Sequence, residues 1–255
     1  MVETFQNIIL GKGGIVLACL ITLLLAERVF PVAHAHAGWW RILRNFSLAV
    51  LNFLASPLIV IPLTVFAASH ALPWRPALWQ GWTGLAVDLI ILDCWIYWWH
   101  RVNHRLPFLW RFHEVHHLDE TLDASSALRF HFGEVILSSL VRAGFIFVSA
   151  MPLYSVVVFE IVIAISTLFH HSNLRLPKNF ERALSYVIVT PSIHWVHHHA
   201  LRRDTDSNYA TVLSVWDRLF GSGSATVRQP DMPIGVEDIA DKHLWALVFR
   251  PFSRR

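Results

Sequence analysis

Histidines are concentrated and regularly spaced between residues 100 and 199 of this sequence. Sixteen histidines occur in 255 residues, and twelve of them lie between His100 and His199. One HxxxH pattern is followed by two HxxHH patterns. On a helix, residues three and four apart share a face, so each set can bind a common ion. These three motifs contain eight histidines: His100, His104, His113, His116, His117, His194, His197 and His198.

Metal binding explains these motifs better than simple solvation at a membrane surface. Protonated imidazoles, with an ordinary pKa of about 6.5, would repel one another at such spacings. Neutral imidazole is a ligand for zinc, copper, iron and nickel. One zinc ion takes about four ligands, so eight imidazoles predict two metal ions. The spacing alone does not separate two zinc ions from two iron ions.

The elements that carry these motifs are predicted to be membrane helices. The chain is 55% hydrophobic and only 15% charged, whereas soluble domains carry roughly 25% charged residues. A membrane span needs about 20 apolar residues. Apolar runs cover residues 8–26, 46–69 and 80–99, and a longer region, 135–169, breaks near Pro152. We expect an all-α integral membrane helical bundle with about four spans, or a span pair plus a hairpin.

The positions of the basic residues predict the direction of the spans. Arginines follow the first and third runs, whereas the loop between the second and third runs has only Arg75. By the positive-inside rule, the histidine motifs then lie on the cytoplasmic side. Because the basic residues lie beside the apolar runs, we interpret them as setting the orientation of the spans and not as binding nucleic acid. We predict spans in residues 1–99, a catalytic region with a membrane hairpin in 100–221, and a cytoplasmic tail in 222–255.

Three further features of the sequence have simple interpretations. The first run is predicted to be a retained span, because "MVETFQN" lacks the basic residues that begin a signal peptide. Cys19 and Cys94 lie inside apolar runs and are predicted to be packing residues. The end of the chain, "HLWALVFRPFSRR", is predicted to dock on the cytoplasmic region or on the membrane surface.

The ordered motifs resemble those of the fatty acid hydroxylase superfamily, also called the sterol desaturase family. The resemblance runs from about Asp93 to Gly221, through "DCWIYWWHRVNH", "HEVHH", "LRFHFGE", "FHHSN", "TPSIHWVHHH" and "DSNYATVLSVWDRLFG". It implies a non-haem di-iron membrane oxygenase, whose cytoplasmic helical cap holds the two metals. The implied ligands are the eight histidines above together with His131 and His171.

Several of these positions rest on the resemblance alone or have alternatives. His170 adjoins His171 and could take its place as a ligand. Asp93, Glu134 and Asn173 are expected to orient metal-bound imidazoles. His199 is expected to lie behind the ligands or at the surface. The isolated His34, His36, His70 and His243 are expected to be interfacial or solvated.

The resemblance implies an O2-dependent hydroxylase that acts on an acyl chain or another membrane lipid. Its cofactors would be two Fe ions, which Zn can replace on purification, with O2 as co-substrate. No haem, flavin or iron–sulfur motif is recognisable, so electrons are expected from an external redox partner. A lipid or sterol desaturase and an alkylglycerol-type ether-lipid monooxygenase are the alternatives. A metal transporter or sensor is a more distant one, because transporters place ligands near the bilayer midplane.

Overall fold

The computed structural model describes residues 2–33 and 38–253, and in these residues the regular secondary structure is helical. Within these residues, β pairing is limited to four isolated bridges. The all-α prediction is therefore confirmed. The helices are α1 Val2–Val29, α2 Trp39–Ala55, α3 Ile61–Ser69, α4 Gly81–Arg105, α5 Pro107–His117, α6 Phe132–Val148, α7 Leu153–His171, α8 Lys178–Leu184, α9 Pro191–His197, α10 Arg202–Thr205, α11 Val215–Leu219 and α12 Leu244–Phe249.

Among the described residues, two helical stretches are long and apolar enough to cross a membrane. They are Trp39–Ser69, which joins α2 and α3, and Leu153–His171, which is α7. A π-helical turn at Ser56–Val60 joins α2 to α3, and it contains Pro57. Proline lacks the N–H that an α-helix requires, and a π turn accommodates that loss without ending the helix. The first predicted span, residues 8–26, lies within α1, and the third, residues 80–99, lies within α4 except for its first residue.

The long apolar region 135–169 forms a helical hairpin, as its break predicted. Helix α6 ends at Val148 and α7 begins at Leu153. Ala150 in the turn has a φ of 54°, a left-handed conformation that reverses the chain. Ile146 and Phe159, one from each arm, pack in a core with Leu92 of α4. The hairpin is therefore fixed against the third predicted span.

One ion-pair cluster connects three of these helices. Glu160 of α7 accepts a hydrogen bond from Lys12 of α1 at 2.5 Å and pairs with Arg142 of α6 at 3.3 Å. Charged side chains among apolar helices are costly unless they are paired. The pairing therefore explains how these charges are accommodated.

Short helices and loops pack over the ends of α4 and α7 and position the histidines. Pro107 begins α5, and the extended Leu106 before it separates α5 from α4. A buried network then holds the loop after α5 to α2. Arg41 donates to Asp119 at 2.5 Å and to Asp123 at 2.6 Å. Burial alone would raise the pKa of Asp119, but Arg41 and Arg129 lower it below its ordinary value.

The C-terminal helix packs on this layer rather than standing apart. Leu247 and Val248 of α12 pack in one apolar cluster with Leu48 of α2, Val115 of α5 and Leu118, which follows α5. Arg250, just after α12, donates to Glu114 at 2.8 Å. The predicted docking of the tail on the histidine-bearing region is confirmed.

Candidate metal centre

Five of the histidines form a first group, which we call the five-histidine group. His100 and His104 lie in the last turns of α4, His113 and His117 on α5, and His197 at the end of α9. One ring nitrogen from each lies within 4.8 Å of the corresponding nitrogens of the others. The HxxxH spacing places the two α4 members on one helix face, as it does for the two α5 members.

Four more histidines form a second group, the four-histidine group. It consists of His116 from α5, His171 from α7, and His194 and His198 from α9 and its C-terminal end. The Nε2 atom of His171 lies 3.0 Å from Nε2 of His116 and 3.0 Å from Nε2 of His194. Nε2 of His198 lies 3.2 Å from Nε2 of His194. Four ring nitrogens therefore converge on one small volume.

The hydrogen bonds of the opposite ring nitrogens show that these converging atoms carry lone pairs. His116 Nδ1 donates to the Arg129 carbonyl at 3.2 Å, and His171 Nδ1 donates to the Thr167 carbonyl at 2.8 Å. A neutral imidazole has one N–H, so both Nε2 atoms are bare acceptors. Two acceptors 3.0 Å apart repel unless a cation lies between them. Imidazoles bound about 2.1 Å from one ion have adjacent nitrogens about 3.0–3.4 Å apart, so the four-histidine group fits a metal ion.

The five-histidine group is arranged by the same principle. His100 Nδ1 donates to the Tyr209 carbonyl at 2.8 Å, and His197 Nδ1 donates to the Ser207 carbonyl at 2.6 Å. His113 Nδ1 donates to the Glu134 carboxylate at 2.8 Å. Such contacts fix the tautomer of metal-binding histidines and increase their basicity.

Several nitrogens of this group lack any hydrogen-bond partner although they are buried. They are Nε2 of His113 and His197 and both ring nitrogens of His104 and His117. His104 Nδ1 does face Asp206, but at 3.5 Å, which is beyond a good hydrogen bond. Buried polar atoms are nearly always paired, so these orphaned nitrogens fit a second metal ion.

The surroundings keep the imidazoles neutral, as metal ligands must be. Burial, followed by the neighbouring imidazoles, lowers the pKa of the grouped histidines that lie outside the predicted membrane spans. The pKa lies well below its ordinary value for His104, His116, His117, His194, His197 and His198. Burial and His113 lower the pKa of His100 to about 3.

His131 is placed apart from both groups, in contrast to the expectation from the resemblance. Its Nδ1 accepts the Gly133 N–H at 2.9 Å, and its Nε2 donates to the Val248 carbonyl at 2.9 Å. Both ring nitrogens are therefore used, and His131 is the N-cap of α6. A side chain at position 133 would come within 2.6 Å of the Phe112 ring, so glycine allows this helix start to pack on α5.

Of the three expected orienting residues, only Glu134 contacts a grouped histidine. Asp93 accepts from the Val212 and Leu213 N–H groups and from Trp216 Nε1. It therefore holds the loop before α11. Asn173 accepts from the backbone N–H groups that follow α1, through Oδ1. These printed contacts of Asp93 and Asn173 involve no imidazole, because both side chains accept from groups brought in from distant parts of the chain.

The remaining histidines have separate positions. His171, and not His170, belongs to the four-histidine group, although the His170 ring lies only 3.9 Å from that of His194. His199 is buried and its Nδ1 lies 2.8 Å from Asp204. His70 and His243 are exposed, as expected, whereas His34 and His36 lie outside the described residues. Cys19 and Cys94 are free.

A cavity of about 100 Å³ lies against both histidine groups. Members of each group line it, including His100 and His116. Its apolar lining comes from α4, α7 and the segment before α6: Ile96, Trp99, Phe130 and Ile163. A hydrocarbon segment in this cavity would therefore lie beside both groups.

The chain is similar in sequence to several known proteins. It is 27% identical to an ornithine lipid hydroxylase of Rhizobium tropici over 199 residues, which are 78% of this chain and 59% of that protein. It is 35% identical to the alkylglycerol monooxygenase of Danio rerio over 59% of this chain and 32% of that protein. A lathosterol oxidase of Rattus norvegicus is 29% identical over 56% of this chain and 47% of that protein.

The chain matches only part of each of these relatives, whereas the family model covers both histidine groups. The chain spans about a third to three fifths of the length of these curated relatives. No solved structure matches it at a significant level. The family model named fatty acid hydroxylase matches residues 85–222, which is more than half of the chain and includes every member of the two histidine groups. The chain therefore belongs to the fatty acid hydroxylase family.

Proposed function

We propose that the chain is an O2-dependent di-iron hydroxylase of a membrane lipid. The observation that carries the proposal is the pair of converging imidazole groups beside one apolar cavity. The proposed ligands are His100, His104, His113, His117 and His197 for one iron, and His116, His171, His194 and His198 for the other. Two irons held there would supply O2 activation and C–H oxidation, with electrons from an external redox partner.

The protein's own residues prepare and protect the site. The backbone carbonyls of Tyr209, Ser207, Arg129 and Thr167 hold Nδ1 protons, which directs the lone pairs inward. Glu134 does the same for His113 with a negative charge. The apolar cavity wall orients a hydrocarbon segment and excludes water from the reacting carbon.

The position of the cavity supports a substrate that enters from the bilayer. Its lining residues Ile96 and Ile163 lie in the C-terminal halves of α4 and α7. Helix α7 is long and apolar enough to span a membrane. We propose a multi-pass membrane protein with the metal centre on the cytoplasmic side. The names of the relatives favour a lipid substrate, with ether-lipid oxidation as the alternative suggested by the alkylglycerol monooxygenases.

Untargeted lipid mass spectrometry tests the proposal. Cells expressing the chain are compared with cells expressing His117→Ala at matched membrane levels, with His70→Ala as the control. His70 is exposed and lies outside both groups. We expect a lipid that gains one oxygen in the wild type and in the control but not in His117→Ala.

Other outcomes have definite meanings. A lipid that loses two hydrogens would replace the hydroxylase with a desaturase. An unchanged lipidome would contradict the proposal if the membranes hold the iron-loaded protein and a competent reductant is added. Metal flux into vesicles would then test a transporter.

A further inference from the structure

The ion-pair cluster among the apolar helices carries one positive charge that has no partner. It consists of Lys12 on α1, Arg142 on α6 and Glu160 on α7, and we call it the Glu160 cluster. Glu160 pairs with both cations, and these are the only ion pairs that Lys12 and Arg142 form with described residues. One carboxylate balances only one of the two cations, so the cluster as a whole is cationic.

The Glu160 cluster lies away from the metal centre. Glu160 is seven residues after the start of α7 and eleven residues before His171, which is about 10 Å and about 16 Å along a helix. Arg142 is six residues before the end of α6, about 9 Å along that helix. When α7 spans the bilayer, the cluster therefore lies in the half of the membrane that is nearer to the turn between α6 and α7.

The charged side chains of this cluster are accessible from outside the helices. The side chains of Lys12, Arg142 and Glu160 are 31%, 18% and 20% exposed, so a ligand can reach all three. Ile15 follows Lys12 by one turn on the same face of α1 and is 49% exposed. An exposed isoleucine beside the cluster faces hydrocarbon when these helices lie in a bilayer. A ligand of the cluster therefore comes from the membrane.

The unbalanced charge selects the headgroup of that lipid. A cation inside a membrane is costly unless an anion accompanies it. A fatty-acid carboxylate is neutralised in such a place, because burial raises its pKa, whereas a phosphate diester is acidic enough to stay ionised. A choline or ethanolamine headgroup adds an ammonium, which the cluster repels. With the membrane placement proposed above, we propose that the Glu160 cluster binds an acidic phospholipid, whose phosphate oxygens accept from Lys12 and Arg142.

Lipids with matched chains test this site without any oxidation. Dioleoyl phosphatidylglycerol, dioleoyl phosphatidylcholine and oleate are titrated separately into the detergent-solubilised, metal-loaded protein, and bound lipid is measured by native mass spectrometry. We expect phosphatidylglycerol to bind about tenfold more tightly than phosphatidylcholine, which corresponds to about 1.4 kcal/mol. Oleate should bind no more tightly than phosphatidylcholine, because its carboxylate is protonated in the site.

Substitutions of opposite sign should change this preference in opposite directions. Arg142→Gln and Lys12→Gln each remove the unbalanced charge and should reduce the binding ratio toward one; Lys12→Gln decides the test if Arg142→Gln does not fold. Glu160→Gln leaves two unbalanced cations and should raise the ratio above that of the wild type. Ion pairs that only stabilise the fold would lower the thermal midpoint in all three variants and leave the ratio unchanged. Arg203→Gln is the control, because it removes one positive charge from α10, where the Arg203 side chain is 78% exposed.

Several outcomes would overturn the inference. Equal binding of phosphatidylglycerol and phosphatidylcholine would show that the cluster binds no anion. A preference that survives in both Arg142→Gln and Lys12→Gln would place the phosphate elsewhere, and tight oleate binding that Arg142→Gln abolishes would replace the phospholipid with a fatty acid. A protein that oxidises a lipid but shows no preference would refute this inference alone. A tenfold preference in a protein that oxidises no lipid would contradict only the proposed function.

Discussion

Glu134 is a side chain whose removal should weaken metal binding at one histidine group and not at the other. It is buried and accepts the His113 Nδ1 proton at 2.8 Å, and His113 belongs to the five-histidine group alone. A hydrogen bond to a charged group contributes about 1.5–3 kcal/mol. Glu134→Ala removes this acceptor and leaves a buried N–H without a partner.

The expected effect is a selective loss of metal affinity. A contribution of about 1.4–2.8 kcal/mol corresponds to 10–100-fold in binding, which is the usual cost of losing such a supporting contact. Chelator competition on the purified protein, followed by metal analysis, should show one of two metals released at a 10–100-fold lower chelator concentration. Glu134→Gln keeps an acceptor oxygen and should fall between Glu134→Ala and the wild type.

Glu114 supplies a matched control for this experiment. It is also a buried glutamate, it adjoins His113 in sequence, and it accepts from Arg250. Glu114→Ala should therefore destabilise the protein without selective release of one metal. Our account of how Glu134 orients His113 would be refuted if Glu134→Ala and the wild type had equal chelator profiles. Equal release of both metals from Glu134→Ala would refute it as well.

Three further outcomes are expected. His131→Ala should keep the metal content of the wild type but unfold about 1 kcal/mol more easily, since it removes a helix N-cap; loss of one metal would instead make His131 a ligand. Arg41→Leu should lower the free energy of unfolding by about 3–5 kcal/mol, because it leaves the buried Asp119 and Asp123 without their main partner; a shift of the thermal midpoint within error would contradict this. Metal-free protein should lose thermal stability as the pH falls below about 6.5, because the pKa of His100 is about 3 in the folded state and the unfolded chain takes up the proton first. A midpoint that stays constant or rises between about pH 7.5 and 5 would refute it.

Short-range spacing predicted most of the metal centre, because helices convert spacing directly into position. The eight histidines of the HxxxH and HxxHH motifs all fall into the two groups. Their division between the groups was not predictable. His116 and His117 are neighbours in sequence but point to different groups, since a helix turns by about 100° per residue.

The supporting contacts were harder to predict because most involve backbone atoms. The carbonyls of Tyr209 and Ser207 reach His100 and His197 through loops that have no side-chain signal. Any residue type offers the same carbonyl, so the sequence does not mark these positions. Asp93 illustrates the same difficulty, because a carboxylate seven residues before His100 on the same helix is equally suited to hold a distant loop, and it accepts from the Leu213 N–H group.

The helices themselves were predicted well where apolar runs had clear breaks. The turn between α6 and α7 lies where Pro152 interrupts the apolar region. The joined helix Trp39–Ser69 begins seven residues before the predicted run, because Trp39 to Asn45 continue the helix through Arg41 and Arg44. These arginines are accommodated by ion pairs with Asp119 and Asp241, which hydropathy does not register.

The C-terminal segment shows how a region without a motif can still support the site. Val248 accepts the His131 Nε2 proton, and this contact fixes the tautomer that allows Nδ1 to cap α6 at Gly133. The first turn of α6 carries Glu134, which orients His113. A continuous set of hydrogen bonds therefore links α12 to one of the two metal groups. The tail supplies no ligand, but it packs against the residue that begins the helix carrying Glu134.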